Sequence, residues 1–348
     1  MATYRRLFRA LAILGALLFA VAASRASERD LRVQALTMFR PLAVDGSAAT
    51  DPGISRQVNL GRVLYFEPRV SADGTVSCAR CHQPALYGAD GLPRSIGSEH
   101  RVHPRHAPTV LNAASQFVQH WRGDRSSVED QAMQALIAPP SYGNPSYEAA
   151  ITKLKAIPGY AALFTQAFPG QADPITPENW ARAIGAYVRT LVTPAPFDRF
   201  LGGDDTAMSP AAQHGLRAFM QVGCASCHNG GGIGGTMYQK FGISEPYWIA
   251  TGSRAVDKGR FDVTKDAADM YVFKVPTLRN VTQTAPYFHD GSVTTLSEAV
   301  RVMARVQLGR QLPESQVRDI VAFLESLTGP LPDAFATIPA LPAQGAGR

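Results

Sequence analysis

Cys78-Ala79-Arg80-Cys81-His82 and Cys224-Ala225-Ser226-Cys227-His228 are two copies of one pattern, Cys-x-x-Cys-His, and together they hold all 4 cysteines of the chain. Two thiols on one turn of backbone reach the two vinyl groups of a haem and form thioethers. The adjacent histidine points at the iron as proximal ligand. Other uses of paired cysteines suit the pattern less well. A zinc ribbon needs no histidine after each pair and keeps its pairs closer in sequence. A thioredoxin-like redox pair does not recur with a trailing histidine, and a disulfide closed within Cys-x-x-Cys is strained. The pattern therefore predicts two covalently attached c-type haems, bound by Cys78, Cys81 and His82 and by Cys224, Cys227 and His228.

The rest of the composition is compatible with this. At 348 residues, 45% hydrophobic and 18% charged, the chain is too long for a disulfide-stapled miniprotein and too apolar for a disordered one. Its formal charge of +6 includes Arg5, Arg6, Arg9 and Arg25 in a leader. No Lys/Arg run points to nucleic acid. Residues 1–26 read as a signal peptide, with a basic start, an apolar run from Leu11 to Ala23 and small residues at the exit. That run falls short of the roughly 20 residues that span a bilayer. The mature form is expected to have no membrane span and to be periplasmic.

Helix signals dominate the remainder of the chain. Ser126-Ser127-Val128-Glu129 reads as a capping box opening a helix to about Leu136, and Ser146 caps a helix stopped by Pro158. Thr176-Pro177 starts a helix with Trp180, Ile184, Tyr187 and Leu191 on one face, ended by Pro194. Ser209-Pro210 opens the helix that leads into the second cysteine motif. Thr295-Leu296-Ser297-Glu298 caps another, and Pro313 begins a last amphipathic helix with Val317, Ile320, Leu324 and Leu327. The expected fold is mainly α, with two cytochrome c-like haem domains and long loops. The domains are placed at 27–200 and 201–330, and the Pro- and Ala-rich residues 331–348 are read as a tail. The Gly230–Gly235 run lacks Gly-Lys-Ser/Thr and is no phosphate loop.

With both motifs placed, residues 57–330 resemble the bacterial dihaem cytochrome c peroxidase family, which includes the MauG-like protein-modifying enzymes. The likeness rests on Gly61-Arg62-Val63-Leu64-Tyr65-Phe66, on Gly91-Leu92-Pro93-Arg94-Ser95-Ile96-Gly97, on Ala107-Pro108-Thr109-Val110-Leu111-Asn112 and on Ile157-Pro158-Gly159-Tyr160. It rests further on Phe273-Lys274-Val275-Pro276-Thr277-Leu278-Arg279-Asn280 and Ala285-Pro286-Tyr287-Phe288-His289-Asp290-Gly291-Ser292. The resemblance implies that the haem on His82 is peroxidatic, with Gln131 facing its open side. It implies that the haem on His228 transfers electrons, with Met303 as its sixth ligand. Trp121 falls where the family has an aromatic residue between the haems, and Thr284 and Pro286 match carbonyls that help hold a calcium ion between the domains. A thioether ligand raises the potential of its iron, which suits an electron donor.

Three positions depart from the family pattern. Ser98 stands where many members carry a histidine that blocks the peroxidatic iron, so that iron is expected to be open without prior reduction. His100, His103 and His106 come next and read as loop histidines. Ser141 stands in place of the distal glutamate, with Glu148 and Glu129 as the nearest acids in sequence. His106 replaces the asparagine of the calcium site. The leading functional reading is reduction of hydrogen peroxide to water with electrons from a small c-type cytochrome or cupredoxin. A MauG-like enzyme that oxidises side chains of a protein substrate is the runner-up, and a dihaem electron carrier without enzymatic activity is third. The family is often dimeric, which raises a homodimer as an expectation.

Overall fold

The computed structural model describes residues 30–44, 46 and 50–343. The predicted signal peptide lies outside the described residues. The principal helices are α1 (Pro52–Tyr65), α2 (Val128–Ala135), α3 (Tyr147–Lys155), α4 (Gly159–Ala167), α5 (Pro177–Arg189), α6 (Pro196–Leu201), α7 (Pro210–Val222), α8 (Leu296–Leu308) and α9 (Glu314–Glu325). Among the described residues the one sheet is a two-stranded antiparallel ribbon, β1 (Tyr238–Lys240) with β2 (Val272–Lys274), which pairs Gln239 with Phe273. Short helical turns and loops make up most of the remaining described residues, so the mainly helical expectation holds.

The helices begin where the side chains that can cap them stand. Ser146, Thr176, Ser209 and Thr295 each accept a hydrogen bond from a backbone N–H in the first turn of the helix they precede. At α2 the cap lies one residue later than the capping-box pattern suggests. Ser127 is the N-cap and bonds the Asp130 N–H, while the Asp130 carboxylate reaches back to the Ser126 N–H. Glu129, the acid expected to close that box, points away and pairs with Arg189 on α5.

Two cores form, each around a crossed helix pair. In the first, α1 lies across α5 with Gly61 pressed against the Ala183 carbonyl, where an added Cβ would stand 1.9 Å from the oxygen. Leu60, Leu64, Leu136, Leu154, Phe164, Trp180 and Ile184 fill the space around it. In the second, α7 crosses α9 at Gly215, where a Cβ would stand 1.8 Å from the Asp319 carbonyl oxygen. Phe197, Phe200, Leu216, Phe219, Ile320 and Phe323 pack there. In both cores a glycine lets two backbones approach to near contact, and each crossing anchors a helix that runs toward a cysteine motif.

Two segments depart from the sequence expectation. Residues 30–38 are helical, and Leu31, Ala35 and Phe39 belong to the second core, not to the first one, which lies next in the chain. The apolar stripe of that segment meets α6 and α7, where Phe39 sits edge-on to Phe197. The expected tail is docked as far as the description reaches. Phe335 is fully buried against Tyr65, and Arg62 donates to the Ala334 and Thr337 carbonyls. Tyr187 Oη donates to the Ala334 carbonyl and Arg69 to that of Pro342. One buried aromatic ring and these side-chain donors on the first core suffice to hold a Pro-rich segment.

Polar contacts brace the second core and join it to the first. Arg279 is buried and bidentate on Asp198 of α6, inside the second core, with the Nη2 contact at 2.8 Å. Thr193 Oγ1 accepts from both Asn112 and Asn280. Arg105, from the first half, grips Asp257 at 2.6 and 2.9 Å.

Candidate active site

Each cysteine motif opens onto its own cavity. The first encloses about 400 Å³ and is lined by Cys78, Cys81, His82, His103, Gln131, Ser141 and Tyr142 among others. The second, of about 230 Å³, is lined by Cys224, Cys227, His228, Lys274, Thr284, Pro286 and Met303 among others. His106, Pro108, Thr109, His120 and Trp121 line both and form the wall between them.

The alternatives to haem do not fit this arrangement. The cysteine pairs lie in separate cavities, so they cannot share a zinc ion. No disulfide joins any of the 4. Burial pushes Cys78, Cys81 and Cys224 up to about 11. Among the described residues no group of three or more His, Cys, Asp or Glu is set to hold a metal ion.

A porphyrin, by contrast, supplies what the cavities lack. His82 bonds the Gly88 carbonyl through Nδ1 at 3.0 Å, which turns Nε2 away from that carbonyl and leaves it available for iron. Burial lowers the pKa of His82 and brings His228 down to about 4, so both rings are neutral, as ligands must be. Lys274 is only 5% exposed, and burial brings it down to about 8. Its ammonium touches the neutral Gln116 Oε1. A buried cation without a carboxylate is costly, and a haem carries carboxylates.

The sites expected from sequence fall in place unevenly. Gln131 lines the first cavity from α2, and Met303 lines the second from α8 together with His228. Trp121 faces both cavities. Its Nε1 donates to the His106 carbonyl at 2.9 Å, and its own carbonyl accepts from the Lys274 backbone N–H at 2.8 Å. His289 is buried with Nε2 unpaired, in a cage of Trp121, Phe241, Tyr247 and Phe273 rings. Its backbone carbonyl accepts from His106 N at 2.8 Å. His100 is exposed and lines neither cavity, and Glu148 is exposed as well.

Three groups carry no local signal in the sequence. His103 reaches into the first cavity. Lys274 is the buried cation of the second. Arg105 and Asp257 form an ion pair beside His289, whose Nε2 is 3.9 Å from the Asp257 carboxylate. What singles out each of them is its tertiary neighbours.

Fold and site together define a two-cavity, two-haem-motif cytochrome. Comparison with known proteins agrees. Residues 55–206 match the family model described as di-haem cytochrome c peroxidase. The chain is 41% identical to the cytochrome c551 peroxidase of Pseudomonas aeruginosa over 95% of both chains. It is 36% identical to the methylamine utilization protein MauG of Methylorubrum extorquens, over 93% of this chain and 92% of that one. Among solved structures, a MauG-like protein associated with microbial copper homeostasis superposes with a TM-score of 0.71 at 26% identity, covering 80% of this chain and 92% of that one. The dihaem peroxidase BthA of Burkholderia thailandensis shares the fold, with a TM-score of 0.64 over 84% of this chain and 91% of that one, at 21% identity. The chain belongs to the dihaem cytochrome c peroxidase family and is an oxidoreductase of the cytochrome c peroxidase type.

Proposed function

We propose that this chain is a periplasmic peroxidase that reduces hydrogen peroxide to water in its first cavity, with electrons delivered at its second by a small c-type cytochrome or cupredoxin. One observation carries the reading: two Cys-x-x-Cys-His cavities share a wall containing Trp121, and a methionine lines only the second. Haem, held by the cysteines and histidine of each motif, would supply single-electron exchange at both sites and peroxide reduction at the first.

The protein's own groups do the rest. Met303 offers a soft thioether to the second site, which favours its reduced form and makes it the donor. Trp121 is held between the cavities by bonds at both its indole N–H and its carbonyl, so its ring cannot swing out of the wall. Gln131 offers an amide N–H to orient peroxide over His82. Lys274, buried in the second cavity, would offer its charge to an acid group of the second cofactor. Residues 27–200 carry the peroxidatic half and 201–330 the electron-transfer half, with the 30–39 segment crossing to the second core. A calcium ion is proposed with the Thr284 and Pro286 carbonyls among its oxygen ligands and without His106, whose Nδ1 is already bonded to the Leu92 carbonyl at 2.7 Å. A homodimer is carried over from the family, to be checked by sedimentation.

Steady-state peroxide consumption by the haem-loaded protein with a reduced small c-type cytochrome tests the reading. Turnover supports it. Peroxide-driven modification of a partner protein, seen by mass spectrometry without cytochrome oxidation, moves the chain to the MauG-like class. Two six-coordinate irons inert to peroxide reduce it to an electron carrier.

A further inference from the structure

The first cavity lacks the proton carrier that cleaving peroxide requires. A group there must take a proton from one oxygen and return it to the other, which leaves as water. Ser141 stands where the family resemblance places a carboxylate. Glu148 is exposed and outside the cavity, and Glu129 is tied to Arg189. Gln131 does not ionise in the working range. Asp124 lines the cavity, but His120, Arg122 and Arg125 outweigh its burial and hold it far below the usual carboxylate range. His120, paired with Asp124 at 3.4 Å, and His106 both belong to the wall shared with the second cavity.

Of the two histidines that line the first cavity and not the shared wall, His82 is the expected iron ligand and His103 is the other. His103 lines the cavity and is half-buried. Its backbone N–H donates to the Ser95 carbonyl at 2.8 Å, which fixes the loop, and Pro140 and Ser141 line the same cavity. The same loop is clamped to the 140–141 segment at two points. Ser98 N donates to the Ser141 carbonyl at 3.0 Å, and Gly97 lies so close to the Pro140 carbonyl that a Cβ would stand 1.8 Å from the oxygen.

We propose that His103 is the acid–base residue of the first cavity, replacing from the 95–103 loop the carboxylate missing at Ser141. This rests on the peroxidase reading above. One ring nitrogen of a neutral histidine carries a lone pair that can take a proton. That nitrogen receives the proton from one peroxide oxygen and gives it to the other as the O–O bond breaks. Overall, hydrogen peroxide, two protons and two electrons from the donor yield two water molecules. Burial lowers His103 to about 4, with His120 and His82 lowering it further and Asp90 and the Pro140 carbonyl opposing. Arg105, Arg122, Arg125 and Asp124 line the same cavity. The ring is therefore an uncharged base near neutral pH.

The test compares the haem-loaded protein with His103→Ala and His103→Gln. Glutamine keeps a hydrogen-bonding amide but cannot carry a proton. Two rates are read: peroxide consumption with reduced cytochrome, and association of cyanide, which binds iron only after hydrogen cyanide gives up its proton. Both variants are expected to keep the oxidised optical and EPR spectra of the unaltered protein. Both rates are expected to fall about 10²-fold or more, and the acid limb of the peroxide rate to vanish. A His103→Gln variant with unchanged rates overturns the proposal. So does a change of the first haem from low to high spin in either variant, because His103 would then be an iron ligand. Absence of peroxide turnover in the unaltered protein, with cyanide association still dependent on His103, defeats the peroxidase reading and leaves this assignment standing.

Discussion

Replacing Gly215 by alanine measures how tightly the second cysteine motif is tied to its core. The added carbon would stand 1.8 Å from the Asp319 carbonyl oxygen and 2.9 Å from Phe323 Cβ, against the 3.4–4 Å of ordinary contact. Backbone lies on both sides, so no rotamer change relieves the overlap, and α7 and α9 must part by about 1.5 Å in an interior packed like a crystal. Overpacking of a core costs about 1–3 kcal/mol, and a backbone clash belongs at the upper end. Alanine recovers about 1 kcal/mol through its better helix propensity. The net loss is about 2 kcal/mol, which lowers the melting temperature of a core this size by about 8 °C. Thermal unfolding of the haem-loaded protein, followed by far-ultraviolet circular dichroism, reads it directly. Because Cys224 comes just after the end of α7 at Gly223, the optical spectrum of the second haem should broaden as well. A melting temperature equal to or above that of the unaltered protein would show that the two helices do not meet at Gly215, and the account of the second core would fall. Gly61→Ala makes the same demand of the first core, against the Ala183 carbonyl at 1.9 Å.

Three further outcomes are expected. Met303→Ala should remove the sulfur-to-iron charge-transfer band of the oxidised protein and lower the potential of the second haem; an unchanged band assigns the thioether to packing alone. Trp121→Phe deletes the indole N–H to His106 and should cost about 1 kcal/mol of stability. It should also slow electron delivery to the first cavity while cyanide association there stays as it was; slowed cyanide association would place Trp121 in the distal pocket instead. Asp257→Asn breaks the Arg105 pair. Burial would raise the Asp257 carboxyl, but the Arg105 bonds outweigh it and hold it below its ordinary value. Its stabilisation is thus fully present above the unfolded carboxylate value of about 4 and is lost as pH falls through the folded one. Unfolding in urea should show the variant weaker by about 1–3 kcal/mol at pH 7, with the gap closing in acid; a gap independent of pH assigns the loss to something other than this charge.

The docked C-terminal segment and the crossing N-terminal helix show where local reading stops. Residues 331–343 carry no strong periodic pattern, yet Phe335 packs on Tyr65, and Arg62 and Arg69 satisfy the segment's carbonyls. Leu31, Ala35 and Phe39 have the spacing of one helix face, but nothing in that spacing says which core receives it. The caps at Ser146, Thr176, Ser209 and Thr295 are legible because a hydroxyl and the amide it satisfies are close neighbours in sequence. At α2, two adjacent serines and two adjacent acids offer competing registers, and tertiary pairing of Glu129 with Arg189 chooses between them.

By itself the sequence marked the two places where haem is expected to attach, because Cys-x-x-Cys-His is a covalent template contained in five consecutive residues. It determined the helix-rich class as well, through caps and apolar spacing that are also local. The tertiary structure alone decided which distant side chains face each cavity: His103 and not His100, Lys274 as a buried cation, Asp257 opposite Arg105, and Trp121 in a wall common to both. Such juxtapositions depend on loop paths and helix crossings set by the whole core, and burial and charge take their values only after those are fixed.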